Sequence, residues 1–489
     1  MKSQVFWVAW RIVLANVRDL RFAAFVALAS IISLLSGTLA GLNFDERVRR
    51  YEEREMEARN SRSLERVIVN RPPFFFPSLG GSTEAAYSDE FQISQQGIEP
   101  PLSDVTDGSQ FGVAGVDWAQ TVVILHGLMA LMIGFSLVSG ERERGQLRLF
   151  LSQGIARGQW LVGSWLACVF LASGPLVLSF VFSIASSAVV SRRVISHIPD
   201  ELTSLALAVV AGVFFLSAMS AIALLASVGA ARSATSLVLC IGFWSFSTLL
   251  APVIAVPLST VANPRMSQRQ LSALRTEADQ EFSTATKVST EMMADVVRAT
   301  NMSNEQKRSI LAERERAMRE GHLAAIEALN STRSQVRQEL DRTVDEEARL
   351  ARQLIGLFPA GAFLRIVGAL TVSGHEGFEH FLEAAREYEK VYRVFVGPER
   401  RRRVLEASVL DVPFSITTNE GERFEMHGMR GLDFSGVGGT AGGFPDFNSF
   451  GPSLGERLNH ALPGIAVLVL WAGAALVAAQ AIMNRYDVR

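Results

Sequence analysis

Lysine is scarce in this 489-residue chain: of 47 basic residues only Lys2, Lys287, Lys307 and Lys390 are lysines, and none stands between a Gly and a Ser or Thr. A P-loop needs that lysine for the β- and γ-phosphates, so the chain holds no ATP site of that kind. Cysteine is scarcer still. Cys168 and Cys240 both fall inside apolar runs, which excludes a disulfide framework, redox chemistry and Cys-based metal sites. A dominant charge sign is also missing, since the net charge is −2 and the isoelectric point near 6.4. Without a basic field, nucleic acid is excluded as a partner on electrostatic grounds.

The most informative absence is local. Asp, Glu, Lys and Arg are all missing from Phe22–Phe44, Trp118–Gly140, Gly158–Ser191, Leu202–Ala231, Ser233–Pro264 and Leu458–Asn484. Each run exceeds the roughly 20 residues that cross a bilayer as a helix. With 49% hydrophobic against 20% charged residues and a mean hydropathy of +0.23, the chain reads as a multi-pass membrane protein. Arg11, Arg18 and Arg21 precede the first run, which has no clear Ala-x-Ala exit, so it is expected to be an uncleaved anchor.

The expected fold class is an all-α membrane protein: six transmembrane helices (22–44, 118–140, 159–190, 203–229, 234–258 and 461–484), an interfacial N-terminal helix over 1–21 and a mostly helical extracytoplasmic domain. Trp7, Trp10, Leu14 and Val17 share one stripe of the N-terminal helix, the pattern of a helix lying in the membrane interface. Residues 45–117 form a polar segment whose charged start, Asp45–Arg59, continues the first helix until Pro72-Pro-Phe-Phe-Phe-Pro77 breaks it. The three Phe are expected to fill a small local core. Pro175, Pro252 and Pro257 are expected to kink or end their helices, and Ser179, Ser183 and Ser187, like Ala474, Ala475, Ala478 and Ala479, to let helices approach closely.

The second polar segment, 265–457, opens with 15 basic and 15 acidic residues between Arg265 and Arg352, which predicts a solvated helical hairpin over 265–355 turning near 301–304. Leu354–Leu370 is apolar but carries Pro359 and Arg365, so it is expected to lie on the membrane surface. Residues 376–395 read as helix, Pro413–Gly428 as short strands, and the glycine-rich 436–443 as a flexible approach to the last span. The short segments Met1–Arg21, Glu141–Arg157, Arg232 and Arg485–Arg489 hold most of the short-loop arginines, which puts both termini in the cytoplasm and both large segments outside.

Function concentrates in Gly140-Glu-Arg-Glu-Arg-Gly-Gln-Leu-Arg-Leu-Phe-Leu-Ser-Gln-Gly-Ile-Ala-Arg157, followed by Gly163-Ser164. A charged cluster ends the second span, and a short amphipathic helix then turns into the third. This loop, 141–158, resembles the cytoplasmic coupling loop of type-2 ABC exporter permeases, with Gln146 where Thr is usual, Ile155 where Pro is common and Ser164 where Lys is common. The large segment between spans five and six looks like that of a subgroup of these permeases with an extracytoplasmic insertion. The resemblance implies an ATPase-docking role for Glu141, Arg142, Glu143, Arg144, Gly145, Leu147, Arg148, Leu149, Phe150, Leu151 and Arg157. Arg144 and Arg148 would pair with acidic positions on the ATPase, while Leu147, Leu149 and Phe150 fill its apolar groove.

The implied protein is a permease subunit in the bacterial cytoplasmic membrane and not itself an enzyme, with no cofactor in this chain and ATP and Mg in a partner ATPase. The implied partners are cytoplasmic ABC ATPase subunits, a second permease of the same or similar sequence, the lipid bilayer and a periplasmic protein. Charge-free spans agree with this, because a proton- or sodium-driven carrier needs buried ionisable or unwound polar sites. Two alternatives stay open: a mechanotransmission subunit that moves nothing across the membrane, and a scaffold or sensor without an ATPase. Other motifs carry less. His375-Glu-Gly-Phe-Glu-His380 matches neither zinc-protease order, His126 is expected in a hydrogen-bonded packing role, and Arg400–Arg403 reads as a solvated run.

Overall fold

In lipid a backbone must satisfy its own N–H and C=O groups, so charge-free runs of this length are committed to helix. A computed structural model describes residues 2–60, 66–69, 90–94, 97–99, 118–152, 155–262, 349–396, 409–417, 423–432 and 451–485, with isolated positions between them. The 265–355 hairpin, apart from its last turns, Phe74–Phe76, the 436–443 glycines and Arg400–Arg403 lie outside the described residues.

Six helices are long and apolar enough to cross a membrane. After the short α1 (Lys2–Val17) come α2 (Leu20–Asn60), α3 (Trp118–Glu143), the seven-residue α4 (Gln146–Ser152), α5 (Arg157–Val190), α6 (Arg192–Gly229) and α7 (Ser233–Ala262). Then follow α8 (Pro359–Thr371), α9 (His375–Val396) and α10 (Leu454–Asn484), the sixth span. The described part of the membrane domain is all-α. Outside it, β1 (Arg66–Val69), β2 (Glu90–Ser94) and β3 (Gly97–Glu99) form an antiparallel sheet, and β4 (Val409–Thr417) and β5 (Arg423–Leu432) a hairpin.

The end of the bundle at which α1 lies is called the near end below, and the opposite one the far end. α3 and α6 are the most enclosed spans, with 61% of their apolar windows buried, against 17% for α7 and α10. Small residues set the closest contacts. A Cβ at Gly37 of α2 would sit 2.2 Å from the Ser183 carbonyl of α5, and one at Gly41 would sit 2.9 Å from that of Ser187. Ser187 Oγ also donates to the Gly37 carbonyl, so two small-xxx-small stripes mesh and are sealed by a hydrogen bond. α3 and α6 meet likewise, where a Cβ at Gly134 would lie 2.4 Å from that of Ala223.

Of the two outcomes expected at the prolines, a helix end is not the one found. Pro175 and Pro257 lie inside α5 and α7, and Pro252 lies two residues beyond a π-turn at Phe246–Leu250, so no helix ends at any of them. A π-turn just before a proline widens the helix where the ring would meet a carbonyl of the preceding turn. Residues 192–201, read as a connection, form the first turns of α6 and contain Pro199.

The larger correction concerns Leu354–Leu370, whose part from Pro359 onward is buried among the spans. Glu347 accepts a hydrogen bond from Thr260, close to the far end of α7 (2.6 Å). The helical residues 349–356 lead from there to Phe358, which meets Phe246 halfway along α7 (ring centroids 5.3 Å), and the Leu357 carbonyl accepts from Trp471 Nε1 halfway along α10 (2.8 Å). From Pro359 the chain climbs back as α8, whose Phe363, Ile366 and Val367 are fully buried against α6 and α10. This is a re-entrant hairpin with its break at mid-bundle. The Leu357 side chain is exposed at the non-helical turn, but the Trp471 indole satisfies the turn's carbonyl, which irregular backbone at that depth requires. Arg365 is tolerated because it lies on the far half of the climb and pairs with Glu376 (3.5 Å). At the far end Arg457 of α10 joins Glu201 (2.8 Å), Ser204 (3.1 Å) and the Leu370 carbonyl (3.4 Å).

A second core lies beyond the spans. Phe381, Ala385, Tyr388 and Tyr392 on one face of α9 enclose Ile68 of β1, with Phe447 against the rings of Phe381 and Tyr388. The two large polar segments are therefore packed together rather than independent.

Candidate functional site: the loop between the second and third spans

The loop begins inside α3. Residues 135–138 leave the helix, and the Ser227 hydroxyl of α6 accepts from the released N–H groups of Val138 and Ser139 (3.0 Å each). Residues Ser139–Glu143 then resume the helix, and Gly145 closes it with φ +73°, a left-handed conformation that an L side chain adopts only under strain.

The charged cluster is mostly fastened to helix ends. Arg142 donates to the carbonyls of Ala230 (3.1 Å) and Val228 (3.2 Å), the last turn of α6. Glu143 accepts from the backbone N–H (3.0 Å) and hydroxyl (2.7 Å) of Ser233, the first residue of α7. Arg157 donates to the Asn484 carbonyl at the end of α10 (2.8 Å). Each sign is the favourable one, cations on helix C-termini and an anion on an N-terminus. Three separate spans are thus tied to one loop.

α4 presents two apolar sides. Leu147 is fully buried, and Phe150 stacks on Trp160 (4.8 Å) with the Arg11 guanidinium 4.2 Å above its ring, so α1, α4 and α5 interlock. Gly163 permits this seat, since a Cβ there would lie 3.0 Å from Val5 and Val8 of α1. Leu149 is 57% exposed, and Arg144 is exposed with no ion-pair partner among the described residues. The side chains of Arg148 and Leu151 lie outside the described residues. Of the three apolar residues expected to enter a partner's groove, two face this chain's own core and only Leu149 faces out.

α1 behaves as an amphipathic element with two partners. Val8, Ile12 and Val13 are buried in the protein, while Phe6, Trp7, Trp10, Leu14 and Val17 are exposed. Elsewhere His126 sits fully buried in a π-turn of α3, its Nδ1 3.4 Å from the Thr121 carbonyl. Cys168 and Cys240 are buried free thiols. Among the described residues no group of three or more His, Cys, Asp and Glu is placed to share a metal ion.

The family model described as ABC-2 family transporter protein matches residues 6–296, which takes in most of α1, the first five spans and the whole loop. A comparison with curated proteins found no match.

Proposed function

The chain belongs to the ABC-2 transporter family, a permease embedded in the membrane, and from that premise we propose that it couples ATP hydrolysis by a separate cytoplasmic ATPase to movement of a substrate across or out of the membrane. The observation that carries the coupling is the fastening of one loop to the ends of α6, α7 and α10 through Arg142, Glu143 and Arg157. A subunit pressing on the exposed side of α4 would displace those ends together. ATP binding, by favouring one state of the ATPase pair, would shift the permease between two arrangements. In this reading the near end and both termini are cytoplasmic, in a bacterial inner membrane, and the large polar segments lie outside. The lightly buried α7 and α10 offer faces to lipid and to a second permease of the same or similar sequence. Nucleotide and Mg belong to the ATPase.

The test is purification of the full chain from its host with whatever accompanies it, compared with Leu149→Asp and Arg144→Glu. Both changes are at exposed positions and leave the core alone. We expect a co-purifying ATPase that is lost or strongly depleted in the variants, since one exposed apolar anchor and one complementary charge set such contacts. No ATPase with the unaltered chain would overturn the reading in favour of a scaffold or sensor.

A second reading rests on one observation, the core that α9 shares with β1 beyond the spans. It would let coupled spans move an outer domain against a periplasmic partner without transport. A pathway that stays sealed in every nucleotide state would favour it.

A further inference from the structure

The inward stripe of α2 continues beyond the part of it that is buried. Phe22, Phe25, Ala29, Ser33, Ser36 and Ala40 recur at the three- and four-residue spacing of one helical face. From Ala29 onward this face is buried, and beside it Gly37 and Gly41 lie against the α5 backbone. Phe22 and Phe25 are only half-buried, and both line a cavity of about 220 Å³. α2 and α3 meet chiefly along Trp118–His126, at the far end of α3. Towards the near end they part, and the cavity occupies the gap.

The opposite wall is apolar too. Met132, Ile133, Phe135 and Leu137 of α3 line it, and Ala15 of α1 and Trp160 of α5 border the same space. Residues 135–138 of that wall have left the helix, and a methionine can repack around a new neighbour, so the wall is deformable. Protein interiors pack to the density of organic crystals, and a gap between two apolar walls leaves surface that their contact would bury. Charge does not hold the walls apart. The cavity is bordered by Arg11, Arg21 and Arg144 together with Asp19 and Glu141, and Asp19, Arg21 and Arg144 are exposed enough to stay in water as the gap narrows.

We propose that the near half of α2 closes on the broken stretch of α3, filling the cavity and extending the packed stripe to Phe25 and Phe22, so that the arrangement described here is the open one. The contact of Gly37 and Gly41 with α5 stays in place. The change is absorbed by residues 135–138 and by the turn at Arg18–Asp19 that joins α1 to α2. Closure draws the first turn of α2 towards the loop after α3. It is a property of this chain alone and stands apart from ATPase coupling.

Pulsed electron spin resonance of the full chain in lipid nanodiscs tests it, with spin labels on Ala24→Cys in α2 and Arg232→Cys between α6 and α7. Both positions are exposed, and the native Cys168 and Cys240 are buried. We expect two separations that differ by about 3–5 Å, less than the roughly 6 Å edge of a cube of the cavity's volume. Ser136→Phe and Ala15→Phe each add a ring to the cavity wall and should reduce the shorter separation about fivefold or more, the effect of overpacking the closed state. Ala481→Phe, the same ring at an exposed position on α10, should leave both separations as they are. Each variant is first matched to the unaltered chain in elution and melting, and Ala15→Phe serves if Ser136→Phe does not fold. A single separation in the unaltered chain, or a shorter one that survives the filling of the cavity, overturns the proposal. Loss of the shorter separation with Ala481→Phe as well overturns the cavity as the space that closes.

Discussion

Glycine and serine positions decide more here than any charged residue in the spans. At Gly37 an added methyl group would fall 2.2 Å from a backbone oxygen that cannot move without moving α5. Gly37→Ala should therefore lower the melting temperature of the detergent-solubilised protein, with an overpacking cost of about 1–3 kcal/mol. Ser187→Ala, which removes only the hydrogen bond, should cost about 0.6 kcal/mol, the usual value within membranes. Similar losses for the two would contradict the packing described. Gly145 offers the opposite case. Nothing lies within 4 Å of its missing Cβ, so Gly145→Ala should cost only the left-handed conformation, about 1 kcal/mol, and Gly145→Asn less. The pairing of these stripes was not legible in the residues alone, because a small side chain reads the same whether it meets a helix or lipid. Ser183 and Ser187 were recognisable as a packing stripe, but their partner on α2 was not.

Among elements, the charge-free runs were enough to locate six membrane helices, since lipid leaves the backbone no other choice. The re-entrant hairpin escaped for a physical reason. Its returning helix α8 is packed against α6 and α10 rather than against lipid, so it needs neither the length of a span nor freedom from Arg365 and Pro359. Trp471→Phe tests it by removing one N–H and little volume. The unpaired Leu357 carbonyl should cost about 1–3 kcal/mol, read as earlier melting or faster proteolysis between the fifth and sixth spans. Unchanged stability would mean that the turn is not held there. In the loop, the pattern gave a short amphipathic helix but not its orientation. Four apolar residues in seven leave no polar face from which to tell the side that meets the chain from the side that meets a partner. Changing Leu147, Leu149 and Phe150 together would thus confuse misfolding with lost docking. Arg142→Ala separates binding from transmission. It should keep any ATPase that docks on Leu149 while reducing ATP-driven distance changes between labels on α4 and on the far end of α6.

For the molecule as a whole, ties at both ends join α6, α7, α8 and α10 to one another and to the loop after α3 in a connected frame. At the near end one loop holds three spans. At the far end Arg457 joins α10 to α6 and to the returning helix α8. A double-mutant cycle between Arg457→Ala and Glu201→Ala should give a coupling of roughly 0.5–3 kcal/mol, the range for residues in one network, and a coupling near zero would remove the far tie. The first polar segment's sheet went unread because its strands are only three to five residues long and β1 lies far in sequence from the β2–β3 pair. α2 adds a geometric consequence. Its 41 residues make one uninterrupted rod of roughly 60 Å, of which the 16 beyond Phe44 stand about 24 Å clear of the apolar run. Pivoting such a rod by about 10° within the bilayer would sweep its tip through roughly 4 Å. It is a lever arm, and a modest rearrangement inside the membrane is amplified where α2 ends.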